Sequence, residues 1–152
     1  MVVLDDLGLD VKYYADMNFK EYVKQGAKYI KNNYNDWKTI LSHLDLDLDI
    51  KFTKQGLKRG LIKEKKLSFD DIEKFFERNC LIMFVINTNI FKGKKGYNGH
   101  FVLVTNINKD YIEFHDSGLP PVLYRKENKK KFIQSWYDKD TDRSVLIVFG
   151  KK

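Results

Sequence analysis

Cysteine, proline and glutamine are scarce in this 152-residue chain, and each shortage excludes something. Cys80 is the only cysteine, so no intramolecular disulfide can form. The two prolines are adjacent, Pro120-Pro121, and break the chain at one place only. No stretch approaches the roughly 18 apolar residues that a membrane-spanning helix needs. The opening MVVLDDLGLD lacks the basic start and apolar stretch of a secretory signal. A soluble, cytoplasmic protein is therefore expected, although a piece of a longer protein would read the same way. Also missing are an Arg-rich arm, a zinc-ligand spacing and any interleaved aromatic-basic motif. The net charge of +7 then suits a solubilising surface, and nucleic acid is not expected as a partner. Neither metal nor cofactor is expected, and nothing in the sequence speaks to oligomeric state.

What is present argues for one folded domain over 1–152. Hydrophobic residues make up 43%, with eleven Phe, nine Tyr and two Trp, which is enough apolar material to build a core. Val2 to Leu4 reads as a weak strand or docking tail. Between Asn18 and Asn32 the apolar residues fall on steps of three and four, predicting one amphipathic helix with Asn18 as its N-cap. A short helix is expected over Asp36 to His43. LDLDLDIKF (44–52) alternates strictly and predicts a half-buried strand, its aspartates forming a solvated face. A cation site there lacks the glycine and terminal glutamate of a calcium loop.

Leu57 to Leu67 reads as a basic loop with a possible strand at Leu61-Ile62. Ser68 and Asp71 form a capping box for a helix ending near Asn79, with Phe69, Ile72, Phe75 and Phe76 on its apolar face. CLIMFVIN (80–87) is too apolar to show water either face and predicts a central strand. The segment Thr88 to Gly99, with its glycines and lysines, can be a mobile loop at the sheet edge. Beyond it come a hairpin, a short strand at Val122 to Tyr124, a helix near Lys130 to Tyr137 and a closing strand, SVLIVFG. Helices first and a mainly antiparallel sheet afterwards make an α+β fold.

The hairpin GHFVLVTNINKDYIEFHDSG carries the candidate chemistry. Opposed residues of an antiparallel pair have numbers with a constant sum. A sum of 216 sets His100 against Asp116 on the apolar face. A sum of 218 makes them diagonal neighbours, still within reach, whereas a one-residue slip parts them. An imidazole beside a carboxylate suits a general base and the group that orients it. It equally suits an edge-of-core histidine satisfied by an acid, and spacing alone favours that plainer role. Gly99 would let a substrate backbone approach His100.

With CLIMFVIN before it, this hairpin resembles the second half of the bacteriocin-processing cysteine peptidases, double-glycine leader peptidases of papain-like fold, and their stand-alone relatives. In that pattern one strand begins Gly-His-Phe/Tyr-Val and the next ends in Asp-Pro or Asp plus a small residue. The likeness covers 57–149. It implies a papain-like fold with N-terminal helices on the sheet, His100 as base, Asp116 as orienter, and Tyr97, Asn98 and Gly99 along a substrate cleft. The lysine loop would border that cleft and favour acidic ligands.

The chain departs from the family at the nucleophile, which there is a cysteine near the start of an N-terminal helix, preceded by a glutamine. No cysteine precedes Cys80, and none of Gln25, Gln55 and Gln134 stands a few residues before a cysteine. Cys80 sits where a helix ends, so the local dipole opposes a thiolate and a buried structural role is expected. Ser42, next to His43, is the best alternative hydroxyl upstream, although sequence adjacency is not triad geometry. The resemblance therefore implies a degenerate, non-catalytic domain that binds a peptide or protein. The alternative is the C-terminal part of a cysteine peptidase or acyltransferase whose nucleophile lies outside this chain.

Overall fold

A computed structural model describes residues 1–118 and 120–152. It opens with α1 (Val2–Asp6), β1 (Leu9–Ala15), α2 (Phe19–Gln25), α3 (Ala27–Asn33), α4 (Trp37–His43) and α5 (Leu46–Lys58). There follow β2 (Ile62–Glu64), α6 (Phe69–Glu77), β3 (Leu81–Asn87), β4 (Gly99–Ile107) and β5 (Tyr111–Asp116). The chain closes with β6 (Val122–Asn128), α7 (Lys129–Trp136), a 3-10 turn at Lys139–Thr141 and β7 (Val145–Lys151). The seven strands make one sheet in the order β2-β1-β7-β3-β4-β5-β6, antiparallel except where β1 runs beside β2. The architecture is α+β as expected, but the order is not helices first, because β1 precedes α2–α5 and pairs with β2 and β7 in the sheet. Among the described residues no helix is long and apolar enough to cross a membrane.

Several elements form for local reasons. Ser68 caps α6, accepting from the Asp71 N–H while the Asp71 carboxylate accepts from the Ser68 N–H. CLIMFVIN lies mid-sheet as predicted, and its alternate residues Ile82, Phe84 and Ile86 are fully buried. Its first strand residue departs from the expectation, because Leu81 is exposed.

The N-terminal third differs more. LDLDLDIKF is not a strand but the start of helix α5. Asp45 is the N-cap, accepting from the Leu48 N–H at 3.1 Å, and Asp47 and Asp49 in the first turn complement the helix dipole. A window of nine residues shows only the period of two. Leu46, Ile50, Thr53 and Leu57, read together, show the helical stripe, and the off-stripe Leu48 is exposed. Val2–Asp6 is likewise helical, not a strand. The single helix expected over 18–32 is two, because Gly26 takes φ +55 and ends α2. The strand predicted over Val122 to Tyr124 continues to Asn128.

Helices cover both faces of the sheet. On one side α6 and α7 seal the main core, where Phe84 meets Phe132 and Trp136 edge-on at 5.2 and 5.0 Å between centroids. On the other side α2–α5 form a smaller cluster around Tyr22, Tyr29 and Ile30, facing Tyr13, Val85, Phe101 and Leu146 of the sheet across a cavity.

Candidate functional site

The β4-β5 register decides the central question. Val102 stands opposite Asp116, Leu103 opposite His115 and Val104 opposite Phe114, so the sum is 218 and not 216. A bulge between Val104 and Asn106 then shifts the pairing by one toward the turn. His100 is therefore the diagonal neighbour of Asp116. Its Nε2 lies 3.2 Å from Asp116 Oδ1, at the open end of the face whose inner part is Val102 and Phe114. The pair forms as the patterning allows, by a different register from the first choice.

Its surroundings are richer than the hairpin suggests. Asp116 is buried, and its Oδ1 also accepts from the Gly118 N–H at 3.0 Å. Its Oδ2 accepts from Arg125 Nη1 at 2.8 Å. Burial pushes this carboxyl group up. The Gly118 N–H, the Arg125 guanidinium and His100 outweigh burial and hold it below the usual carboxylate range. Arg125 in turn bonds Glu127 and lies over the Phe91 ring, 5.0 Å from its centroid. The result is a chain of alternating charge, His100–Asp116–Arg125–Glu127. Asp116 can orient His100, but it already shares its negative charge with a permanent cation.

Arg125 escapes sequence reasoning because it belongs to a strand read as ending one residue earlier. Only the β5-β6 pairing, with Phe114 opposite Arg125, turns it onto the face of Asp116. Gly118 also has a role that the Asp-Ser-Gly spelling does not disclose. A Cβ there would lie 2.9 Å from His100 Cε1 and 3.1 Å from Asp116 Oδ1. Gly118→Ala is expected to cost about 1–3 kcal/mol by overpacking. It should also move the Asp116 pKa toward the ordinary range as the Gly118 N–H is displaced. Urea unfolding and carbon-13 NMR titration of the carboxylates measure the two effects.

The three cleft residues lie together beside the start of β4. A groove of about 370 Å³ has α4 (Thr39, Ile40 and His43) and its C-cap Leu44 as one wall and Tyr97 to Phe101 as the other. The Tyr97 N–H donates to Asp36 Oδ2 at 2.9 Å, and the Asn98 N–H donates to Asn87 Oδ1 at 3.0 Å. Asn87 Nδ2 reaches the Gly96 carbonyl at 3.0 Å, so the lysine loop is tied down at its base. The space over Gly99 is taken by the Tyr97 ring, into which any Cβ would run. Glycine at 99 thus accommodates a neighbour in the chain, a reason that the expectation of substrate approach did not include.

Neither internal nucleophile candidate reaches His100. In the β3-β4 register Ile86 faces His100, so Cys80 lies six residues away along the strand, on the order of 20 Å. Cys80 is buried, and burial pushes its thiol up. Ser42 Oγ does lie 3.0 Å from His43 Nδ1, but both also converge on the Thr39 carbonyl at the exposed end of α4, with no carboxylate orienting the ring. Among the described residues no cluster of three or more His, Cys, Asp or Glu side chains could hold a metal ion.

No protein-family model, curated protein or solved structure matches this chain.

Proposed function

We propose that this chain is a papain-like, peptidase-related domain that binds an extended peptide or a partner protein in the groove beside His100, without cleaving it. The supporting observation is a histidine set 3.2 Å from a buried, charge-compensated aspartate, with no thiol or hydroxyl hydrogen-bonded to it among the described residues and Cys80 far along the sheet. Lys92, Lys94 and Lys95 are exposed on the loop that leads into the groove wall, which favours acidic ligands. The resemblance of the β3-β4-β5 sequence to the leader peptidases supplies the ligand class.

The test uses an acidic leader-type peptide ending in Gly-Gly, titrated into nitrogen-15-labelled protein. Shift changes are expected at Thr39–Leu44 and Tyr97–Phe101, without hydrolysis, and a peptidyl acyloxymethyl ketone should leave the protein unlabelled. Rapid stoichiometric alkylation of Cys80 that blocks a hydrolytic activity would overturn the reading, as would shifts confined to other surfaces.

One observation favours the second reading, that the nucleophile is supplied from outside this chain. Nε2 is the ring nitrogen turned to Asp116, and Nδ1 has no partner among the described residues. That leaves one nitrogen for a proton acceptor's role. Hydrolysis of the Gly-Gly peptide that appears only when a cysteine-bearing second polypeptide is added, and is lost in His100→Ala, would select it.

A further inference from the structure

The cavity under α2–α5 adjoins the His100 groove, sharing Ile40, Leu44, Val85, Tyr97 and Phe101 with it, and has a chemistry that the groove does not use. It measures about 500 Å³, within the range of small-molecule sites. Its floor is the sheet, with Tyr13, Val85, Phe101 and Leu146, and α2–α5 form its roof. Apolar and aromatic side chains make up most of the lining.

Among the described residues the charged side chains on the lining are all acidic, Asp49, Asp140 and Asp142. In a chain carrying 28 basic residues, that separation is a distinct electrostatic feature. Met1 also lines the cavity, and burial lowers the pKa of its α-amino group, which weakens it as a competing cation. None of the three carboxylates has an ion-pair partner among the described residues. Asp140 is committed, because its two oxygens accept the Asn35 and Asp36 N–H groups. Asp49 and Asp142 are not. Asp49 accepts the Tyr22 hydroxyl at 2.6 Å and Asp142 accepts that of Tyr34, which leaves most of each carboxylate's acceptor capacity unused. Phenol rings stand beside both. Carboxylate and aromatic faces around an apolar space are the combination that recognises an alkylammonium, by charge on one side and cation–π attraction on the other.

We infer that this cavity binds a small organic ammonium, a protonated amine carried on an apolar or aromatic body, with Asp142 and Asp49 as its counter-ions. A carboxylate or phosphate ligand would meet like charge there, and a neutral one would leave the two aspartates unpaired. This holds whether or not His100 and Asp116 descend from a catalytic pair, since no side chain of that charge chain borders the cavity.

The experiment uses one shape in three charge states: tryptamine, tryptophol and indole-3-propionate, titrated by calorimetry and by nitrogen-15 shift mapping at pH 8. Tryptamine is expected to bind at least tenfold more tightly than tryptophol, with shifts at the sheet floor and α5, and indole-3-propionate more weakly than either. Asp142→Asn and Asp49→Asn should each weaken tryptamine about tenfold and leave tryptophol unchanged, which separates loss of charge from loss of fold. Tryptamine binding should also tighten more from pH 5 to pH 8 in the native protein than in Asp142→Asn. The groups facing Asp142 are Tyr34, Tyr13, Tyr29 and Tyr97, which stay neutral, and the carboxylates of Asp16 and Asp140. The Met1 α-amino group, also on the lining with its pKa lowered by burial, is common to both proteins, so the difference between them isolates Asp142. Equal affinity across the three probes, no binding of tryptamine, or shifts confined to Thr39, His43, Asn98, Gly99 and His100, which line the groove alone, would overturn the inference.

Discussion

Trp136→Ala is expected to lower the unfolding free energy by about 3–5 kcal/mol, the range for deleting a fully buried large aromatic side chain. The indole is wholly buried on α7 and meets Phe84 at 5.0 Å and Phe69 at 6.3 Å between centroids, both edge-on. Its Nε1–H donates to the Ser144 carbonyl at 3.3 Å, so the substitution also strands a buried acceptor. The same residue ties α7 to the turn before β7, because the Thr141 hydroxyl donates to the Trp136 carbonyl at 2.5 Å. Trp136→Phe keeps most of the ring volume and loses the hydrogen bond, so about 1–3 kcal/mol is expected from it. Urea unfolding followed by far-ultraviolet circular dichroism measures both. A loss under about 1 kcal/mol for the alanine variant would mean that α7 does not close this core.

Asp142→Asn is expected to act in the opposite direction, and only above acidic pH. Burial pushes the Asp142 carboxyl up, the nearby Asp16 and Asp140 charges push the same way, and the Tyr34 hydroxyl pulls it down. The outcome is about 7 against 3.8 ordinarily. A carboxyl group whose pKa is higher in the folded state holds its proton more tightly there. Its stabilisation is complete below pH 4 and is lost as pH rises toward 7. That difference corresponds to as much as about 4 kcal/mol, so at pH 8 the asparagine variant should be more stable than the native protein by up to that amount. Near pH 3.5 the two should coincide.

Asparagine suits the backbone, since residue 142 has φ +51, a conformation it accepts better than most side chains. It can also still accept from Tyr34. Thermal unfolding of both proteins between pH 3.5 and 8 gives the two curves, and parallel curves would contradict the burial of this charge. A counter-ion kept at a cost to stability accords with a site for a cation.

Much of the fold is legible because the signals that carry it are short. The Ser68–Asp71 box and the unbroken apolar run of CLIMFVIN, read as a central strand, each lie within a few residues. Each appears where the sequence places it. The misread elements are those where a short window contains two periods. LDLDLDIKF alternates over nine residues, yet Asp45 caps it as a helix and Ile50, Thr53 and Leu57 extend the helical face. At the break in the first long helix, Gly26 outweighs an apolar stripe that runs through it.

For the candidate site the division is similar. The sequence by itself pointed to His100 and Asp116 sharing a face within reach, because a strand's side chains alternate and the apolar pattern disfavours a one-residue slip at that end. Tertiary structure alone decided the rest. The choice of sum 218 depends on a bulge, Arg125 reaches Asp116 only through the β5-β6 register, and Gly118 matters only because an imidazole lies against it. The cluster of Asp49, Asp140 and Asp142 joins residues nearly a hundred positions apart, on α5 and around the turn before β7. Alternation and capping act through bonds and neighbours along the chain. Charge contacts and cavities arise between elements, and no local pattern encodes which elements will meet.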